Sequence, residues 1–143
     1  MRSEHAIQDL LFSYARSIDA GDFEALASLF THGAIEGPDG SLIQGKAAVL
    51  ALYQKTTRIY TDTGTPCTHH VTTNVDIKVE GEQASALSYF TVYQSLSDFP
   101  LQAIICGRYH DDFAQADGRW LFRKRRIVPT LLGDLSRHLL ITL

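Results

Sequence analysis

The chain has 143 residues, 45% hydrophobic and 20% charged, with a net charge of −3. That balance excludes a disordered chain and fits one domain, 1–143, large enough to bury a core without disulfides or metal. It offers no basic field for nucleic acid or an anionic membrane surface, and no apolar run approaches a membrane span.

Ile7, Leu10, Leu11, Tyr14 and Ile18 fall at helical spacing and predict an amphipathic helix from about Ser3 to Asp19. Ala20-Gly21 stops it, with Gly21 suited to the left-handed position past a helix end. Asp22 caps a short second helix to about Phe30. Pro38-Asp39-Gly40 turns the chain between two short extended pieces, Ala34-Ile35-Glu36 and Leu42-Ile43-Gln44. A third helix runs from about Lys46 to Ile59.

The period then changes. Val71, Thr73, Val75, Ile77 and Val79 alternate with polar residues until Glu80-Gly81-Glu82 turns the chain. Strands follow at Ala84 to Gln94, Leu101 to Ala114, and, after the Asp117-Gly118 turn, Trp120 to Val128. Alternation along the last strand sends the cluster Arg123, Lys124, Arg125 and Arg126 to opposite faces, which argues against a nucleic-acid contact. Three helices and a hairpin followed by a long meander make an α+β arrangement, a bent antiparallel sheet with helices across its concave side and an apolar pocket at one end.

Met1-Arg2-Ser3-Glu4-His5 carries no apolar signal core, so the expected location is cytoplasmic. Cys67 and Cys106 are too few and too scattered for a disulfide framework or a zinc site. The pairs His69/His70 and His110/Asp111 are adjacent along strands and point to opposite faces, so no metal site is expected. His5, His32 and His138 read as surface residues. The segment after Val128, with Pro129, Leu131, Leu132, Leu135, Leu139, Leu140 and Ile141, is too apolar for a free tail. It is expected to pack across the pocket mouth or against another subunit.

The order of elements, with Tyr14-x4-Asp19-x2-Asp22-Phe23, His70-x3-Asn74, Gly107-Arg108-Tyr109-His110-Asp111-Asp112-Phe113 and Asp117-Gly118-Arg119-Trp120, resembles the SnoaL-like branch of the nuclear-transport-factor-2-like superfamily. The likeness runs from about Ser3 to Val128. It implies a cone-shaped, strongly bent sheet with three helices on its concave face, the α-β-barrel or cystatin-like roll. That fold hosts dehydratases, dehydrochlorinases, isomerases, cyclases and non-catalytic subunits, so it does not settle function. Relatives are commonly dimers or trimers, which implies a homo-oligomer.

Within this branch, scytalone dehydratase, bile-acid dehydratases and hexachlorocyclohexane dehydrochlorinase use an Asp–His dyad as base. The resemblance assigns the Asp to Asp19 and the His to His70, with His69 beside it as the alternative. Tyr14 matches a Tyr of the bile-acid enzymes, and Arg125 matches an Arg of the dehydrochlorinase. His110 matches a second histidine of some dehydratases, and Asn74 follows the dyad histidine.

Chemically, a carboxylate fixes the tautomer of an imidazole and stabilises its cation, which makes a general base near neutral pH. The bland readings stand beside these. Asp19 could be a helix-end polar residue, Tyr14 a core aromatic, and His70 a solvated member of a polar strand face with Thr72, Asn74, Asp76 and Lys78. Arg125 is either a solvated strand-edge cation or a buried one facing developing negative charge. His110 pairs with Asp111 or Asp112 if it has no role in the pocket. Tyr14 and Asp19 lie about 140° apart on an ideal helix, so both reach one pocket only with Asp19 at the last turn.

The leading expectation is a cofactor-free lyase or isomerase of dehydratase type acting on a small apolar molecule. The alternative is a non-catalytic binding or accessory subunit of the same fold. A third reading, a carboxylate base on the strands, would fall to Asp111 or Asp112.

Overall fold

A computed structural model describes residues 2–143; Met1, the first residue of the expected domain, lies outside them. The first helix, α1 (Ser3–Asp19), buries Ile7, Leu11, Tyr14 and Ile18, the stripe that its apolar spacing demands. Gly21 ends it at φ +72, where an added Cβ would stand 2.2 Å from the Gly64 carbonyl oxygen. Both facts exclude a side chain there. The second helix, α2 (Phe23–Ser28), is capped by Asp22, whose carboxylate accepts the Ala25 N–H at 3.0 Å.

A hairpin of β1 (Ala34–Glu36) and β2 (Leu42–Gln44) leads into α3 (Lys46–Thr56). This helix stops three residues short of the expected Ile59. Thr57 leaves it in extended conformation and bridges Leu139 of the C-terminal segment. Four long strands complete the chain: β3 (Thr68–Glu80), β4 (Gln83–Leu96), β5 (Phe99–Ala116) and β6 (Arg119–Leu132).

The six strands form one curved, unclosed sheet in the order β2-β1-β6-β5-β4-β3. Its pairs are antiparallel except β1 with β6, which run parallel; the expected sheet was antiparallel throughout. That exception follows from the crossover through α3 and the meander, which returns β6 beside β1. α1 lies against β3 and β6 and closes the concave side.

Bulges bend the sheet and decide which residues face inward. On β3 the register shifts between Thr73 and Asp76, with Asn74 at φ +53. Before the shift Thr68, His70 and Thr72 turn toward the interior; after it Val75, Ile77 and Val79 do. His70 is therefore not on a shared polar face with Asp76 and Lys78, as unbroken alternation predicts.

On β6 the shift opposite Asp112 and Phe113 leaves Arg123 as the extra residue. Inward parity passes from Trp120 and Phe122 to Arg125.

β6 also outruns its expected end at Val128. Pro129, which has no N–H for the ladder, sits opposite Gly107 at another irregularity, and pairing continues to Leu132. The chain then folds back to the end of α3, where the Leu140 N–H donates to the Thr56 carbonyl at 2.9 Å. No helix among the described residues is long and apolar enough to cross a membrane.

Candidate active site

Asp19 ends α1 where that helix meets the start of β3, and three donors converge on its carboxylate. The Thr68 hydroxyl donates to Oδ1 at 2.9 Å, the His70 backbone N–H donates to Oδ2 at 2.8 Å, and His70 Nδ1 lies 2.6 Å from Oδ1. A carboxylate only accepts, so Nδ1 carries a proton, and in the neutral ring Nε2 keeps its lone pair. Burial by itself would raise the Asp19 carboxyl. The bond from the His70 ring, its charge, its backbone N–H and Thr68 outweigh that and hold the carboxyl below its ordinary range.

The His70 side chain is only 7% exposed and forms part of the wall of a cavity of about 530 Å³, within the range of small-molecule sites. Asp19 stands behind it and faces a separate groove. His69 is exposed and borders that groove instead, so of the two neighbouring histidines it is His70 that meets both Asp19 and the cavity.

The remaining wall is mainly apolar, from Ile18 of α1, Phe90 and Val92 of β4, Ile105 of β5 and Ile127 of β6. Tyr14 and Tyr53 bring the two phenols of this wall, from α1 and α3. Their hydroxyls share a hydrogen bond. Burial raises both phenols above their ordinary value, against the opposing charge of Arg125. Both stay neutral and remain hydrogen-bond donors.

Arg125 is fully buried and does not reach the cavity surface. Its Nε and Nη2 donate to the two carboxylate oxygens of Asp111 at 2.8 and 2.9 Å. Its guanidinium carbon lies 3.6 Å from the ring centre of Tyr109 and 4.3 Å from that of Tyr14. Burial would lower the guanidinium pKa, but Asp111 more than offsets it and keeps Arg125 charged. Burial pushes the Asp111 carboxyl up and Arg125 opposes it. The two-point geometry is that of a carboxylate–guanidinium pair. Asp111 is thus committed to Arg125, and no free carboxylate base is left at this position.

Two expected site residues lie elsewhere. His110 alternates with inward Tyr109 and Asp111, so it faces out, onto a polar groove with Asp112, Lys124 and Arg126. Asn74 is exposed and occupies the left-handed position of the β3 bulge. Its place is to turn the strand, not to line the cavity.

One expectation is reversed. His138, read from sequence as a surface residue, is 5% exposed and lines the cavity beside His70, with the ring centres 6.0 Å apart. The C-terminal segment carries it there, and Leu135, Leu139 and Ile141 of the same segment also line the cavity. Tyr53, on the third helix, was not among the expected site residues. A place among the leucines of the terminal run was the signal available for His138, shared with Asp134, Ser136 and Arg137; nothing in the sequence distinguished Tyr53.

The fold is a curved α+β cone with His70 in the wall of a mainly apolar cavity and Asp19 bonded behind it. Residues 1–126 match the SnoaL-like domain, and the chain belongs to that family. No curated protein sequence matches it.

Among solved structures it is similar to an NTF2-like protein with a cystatin-like fold from Novosphingobium aromaticivorans, with 21% identity, 94% of this chain and 85% of that one covered, and a TM-score of 0.73. It is similar to a candidate scytalone dehydratase from the same species, with 23% identity, 92% and 86% covered, and a TM-score of 0.71. It is also similar to LinA, with 21% identity, 94% and 90% covered, and a TM-score of 0.72. At these identities the likeness establishes the shared fold.

Proposed function

We propose that the protein is a cofactor-free lyase or isomerase of dehydratase type, acting on a small, mostly apolar molecule, with residues 1–143 as one catalytic domain. The observation that carries this reading is the 2.6 Å contact of His70 Nδ1 with Asp19 while the same ring borders the cavity. A candidate scytalone dehydratase among the similar folds supports it.

His70 Nε2 takes a proton from carbon. Asp19 holds the tautomer and supports the imidazolium that forms. Tyr14, backed by Tyr53, donates to an oxygen or leaving group. Arg125 acts as a positioning residue: it presses on the Tyr14 ring and places positive charge behind it without touching the ligand. General base catalysis of this kind supplies about 10²–10⁴-fold. The exposed Leu101, Leu131 and Leu132 suit a homo-oligomer, a dimer or trimer.

Proton abstraction is measurable without the natural substrate. Deuterium exchange into the α-carbon of 2-tetralone, followed by NMR, is expected with the wild type and slowed at least about 10²-fold in Asp19→Asn and in His70→Ala. Exchange at the wild-type rate in either variant overturns the dyad. The second reading, a binding or accessory subunit, draws on the Tyr14 hydroxyl being already engaged by Tyr53; it predicts that 2-tetralone binds and does not exchange.

A further inference from the structure

His138 is placed with more care than a tail residue needs. Its backbone N–H donates to the Leu135 carbonyl at 3.1 Å, and its own carbonyl accepts the Arg58 N–H at 2.8 Å. The preceding carbonyl, of Arg137, accepts the Tyr60 hydroxyl at 2.6 Å and Gln94 Nε2 at 3.0 Å. These bonds tie the segment to β4 and to the chain that follows α3, so the ring is held by the body of the protein.

The ring meets His70 at an interplanar angle of 63°. Its Nδ1 is sealed from solvent and has no hydrogen-bond partner. Buried polar atoms are rarely left so. An orphaned N–H is rarer than an orphaned acceptor, so Nδ1 keeps its lone pair and the proton sits on Nε2. Burial, reinforced by His70 whenever that ring is protonated and opposed by Asp19, pushes the ring down to about 4. At neutral pH it is an uncharged imidazole.

The two histidines are therefore complementary. His70, bonded to Asp19 through Nδ1, has an accepting Nε2; His138 has a donating one. A base beside a neutral donor matches a carbon acid whose negative charge moves to an adjacent oxygen.

We propose that His138 is a second ligand-contacting residue, donating from Nε2 to the oxygen of a ketone or enol whose acidic C–H faces His70. The ligand class follows: an apolar ring bearing a carbonyl or enolisable hydroxyl, not a bare hydrocarbon or halide. This deepens the base reading of His70 and rests on it.

The test compares 2-tetralone with tetralin, which differ by the carbonyl alone, in NMR binding titrations with the full chain. The wild type is expected to favour the ketone about tenfold, the worth of one good hydrogen bond. His138→Phe should reduce that preference to about twofold or less and leave tetralin affinity within about twofold. His138→Gln, which retains a donor, should keep most of the preference, and it carries the test if the Phe variant fails to fold.

A preference that survives in His138→Phe overturns the proposal, as does a wild type that binds both probes equally. The base reading fails separately, through unchanged α-carbon exchange in Asp19→Asn.

Discussion

The Asp111–Arg125 pair sets the largest stability effect to be expected from a single isosteric change. Asp111→Asn preserves shape and removes the charge that Arg125 needs, leaving a guanidinium with no exposed surface. Breaking a buried ion pair from one side costs about 3–5 kcal/mol. Two features set the value near the lower end. The Asn carbonyl still accepts one of the two bonds, and the cation keeps the faces of Tyr109 and Tyr14 at 3.6 and 4.3 Å, each worth up to about 2 kcal/mol when desolvated.

The expected loss is thus about 3 kcal/mol, a large share of an ordinary domain's 5–15 kcal/mol. Urea unfolding followed by the fluorescence of Trp120, the chain's one tryptophan and 7% exposed, reads it as a lower midpoint at unchanged slope. The double variant Asp111→Leu/Arg125→Met should recover to within about 1 kcal/mol of wild type, because a buried pair adds little over apolar side chains of like volume. A loss under about 1 kcal/mol in Asp111→Asn, or a double variant weaker than either single one, would refute the account.

Two further effects follow from local geometry. The ring of His138 sits near 4 when folded against an ordinary 6.5, with His70 and Asp19 as the charged groups facing it. The unfolded chain therefore binds more protons between those values. Stability is full above about pH 6.5 and falls as the pH drops toward 4, by about 3 kcal/mol in all. Urea midpoints measured from pH 7 to pH 4 should flatten in His138→Phe, and an unchanged acid slope in that variant would contradict this source. Gly21→Ala forces a Cβ against the Gly64 carbonyl at φ +72 and should lower stability by about 1–3 kcal/mol; a thermal melt within 1 °C of wild type would show that the turn relaxes freely.

The helices and the meander were legible because their hydropathy repeats at the right periods, and Asp19 was legible as the last polar position before Gly21. What escaped the sequence was parity. Val71, Thr73, Val75, Ile77 and Val79 alternate without interruption, yet the bulge at Asn74 exchanges the two faces midway. The hydropathy pattern therefore puts His70 on the outside.

Arg125 shows the same effect from the other direction: the run Arg123 to Arg126 hides which member turns inward, and the extra residue at Arg123 decides it. His138 escaped for another reason. A terminal run rich in leucine specifies burial, but not which of its polar members is carried in with the leucines.

These bulges also account for the division of charge across the cavity wall. A regular β3 would direct His70 to solvent, and a regular β6 would direct Arg125 there too. The irregular ladders place His70 in the cavity wall, with Asp19 of α1 behind it, and bury Arg125 against Asp111. The pairs then differ by their partners. Asp111 spends both carboxylate oxygens on Arg125, whose Nη1 has no partner, and neither side chain lines the cavity, so the two serve as fixed internal charge. Asp19 spends its oxygens on Thr68, the His70 backbone and one ring nitrogen, which leaves the other ring nitrogen with an unused lone pair at the cavity side. In the proposed function the Asp19–His70 pair is where proton transfer occurs, while the buried pair supplies fixed charge behind the wall.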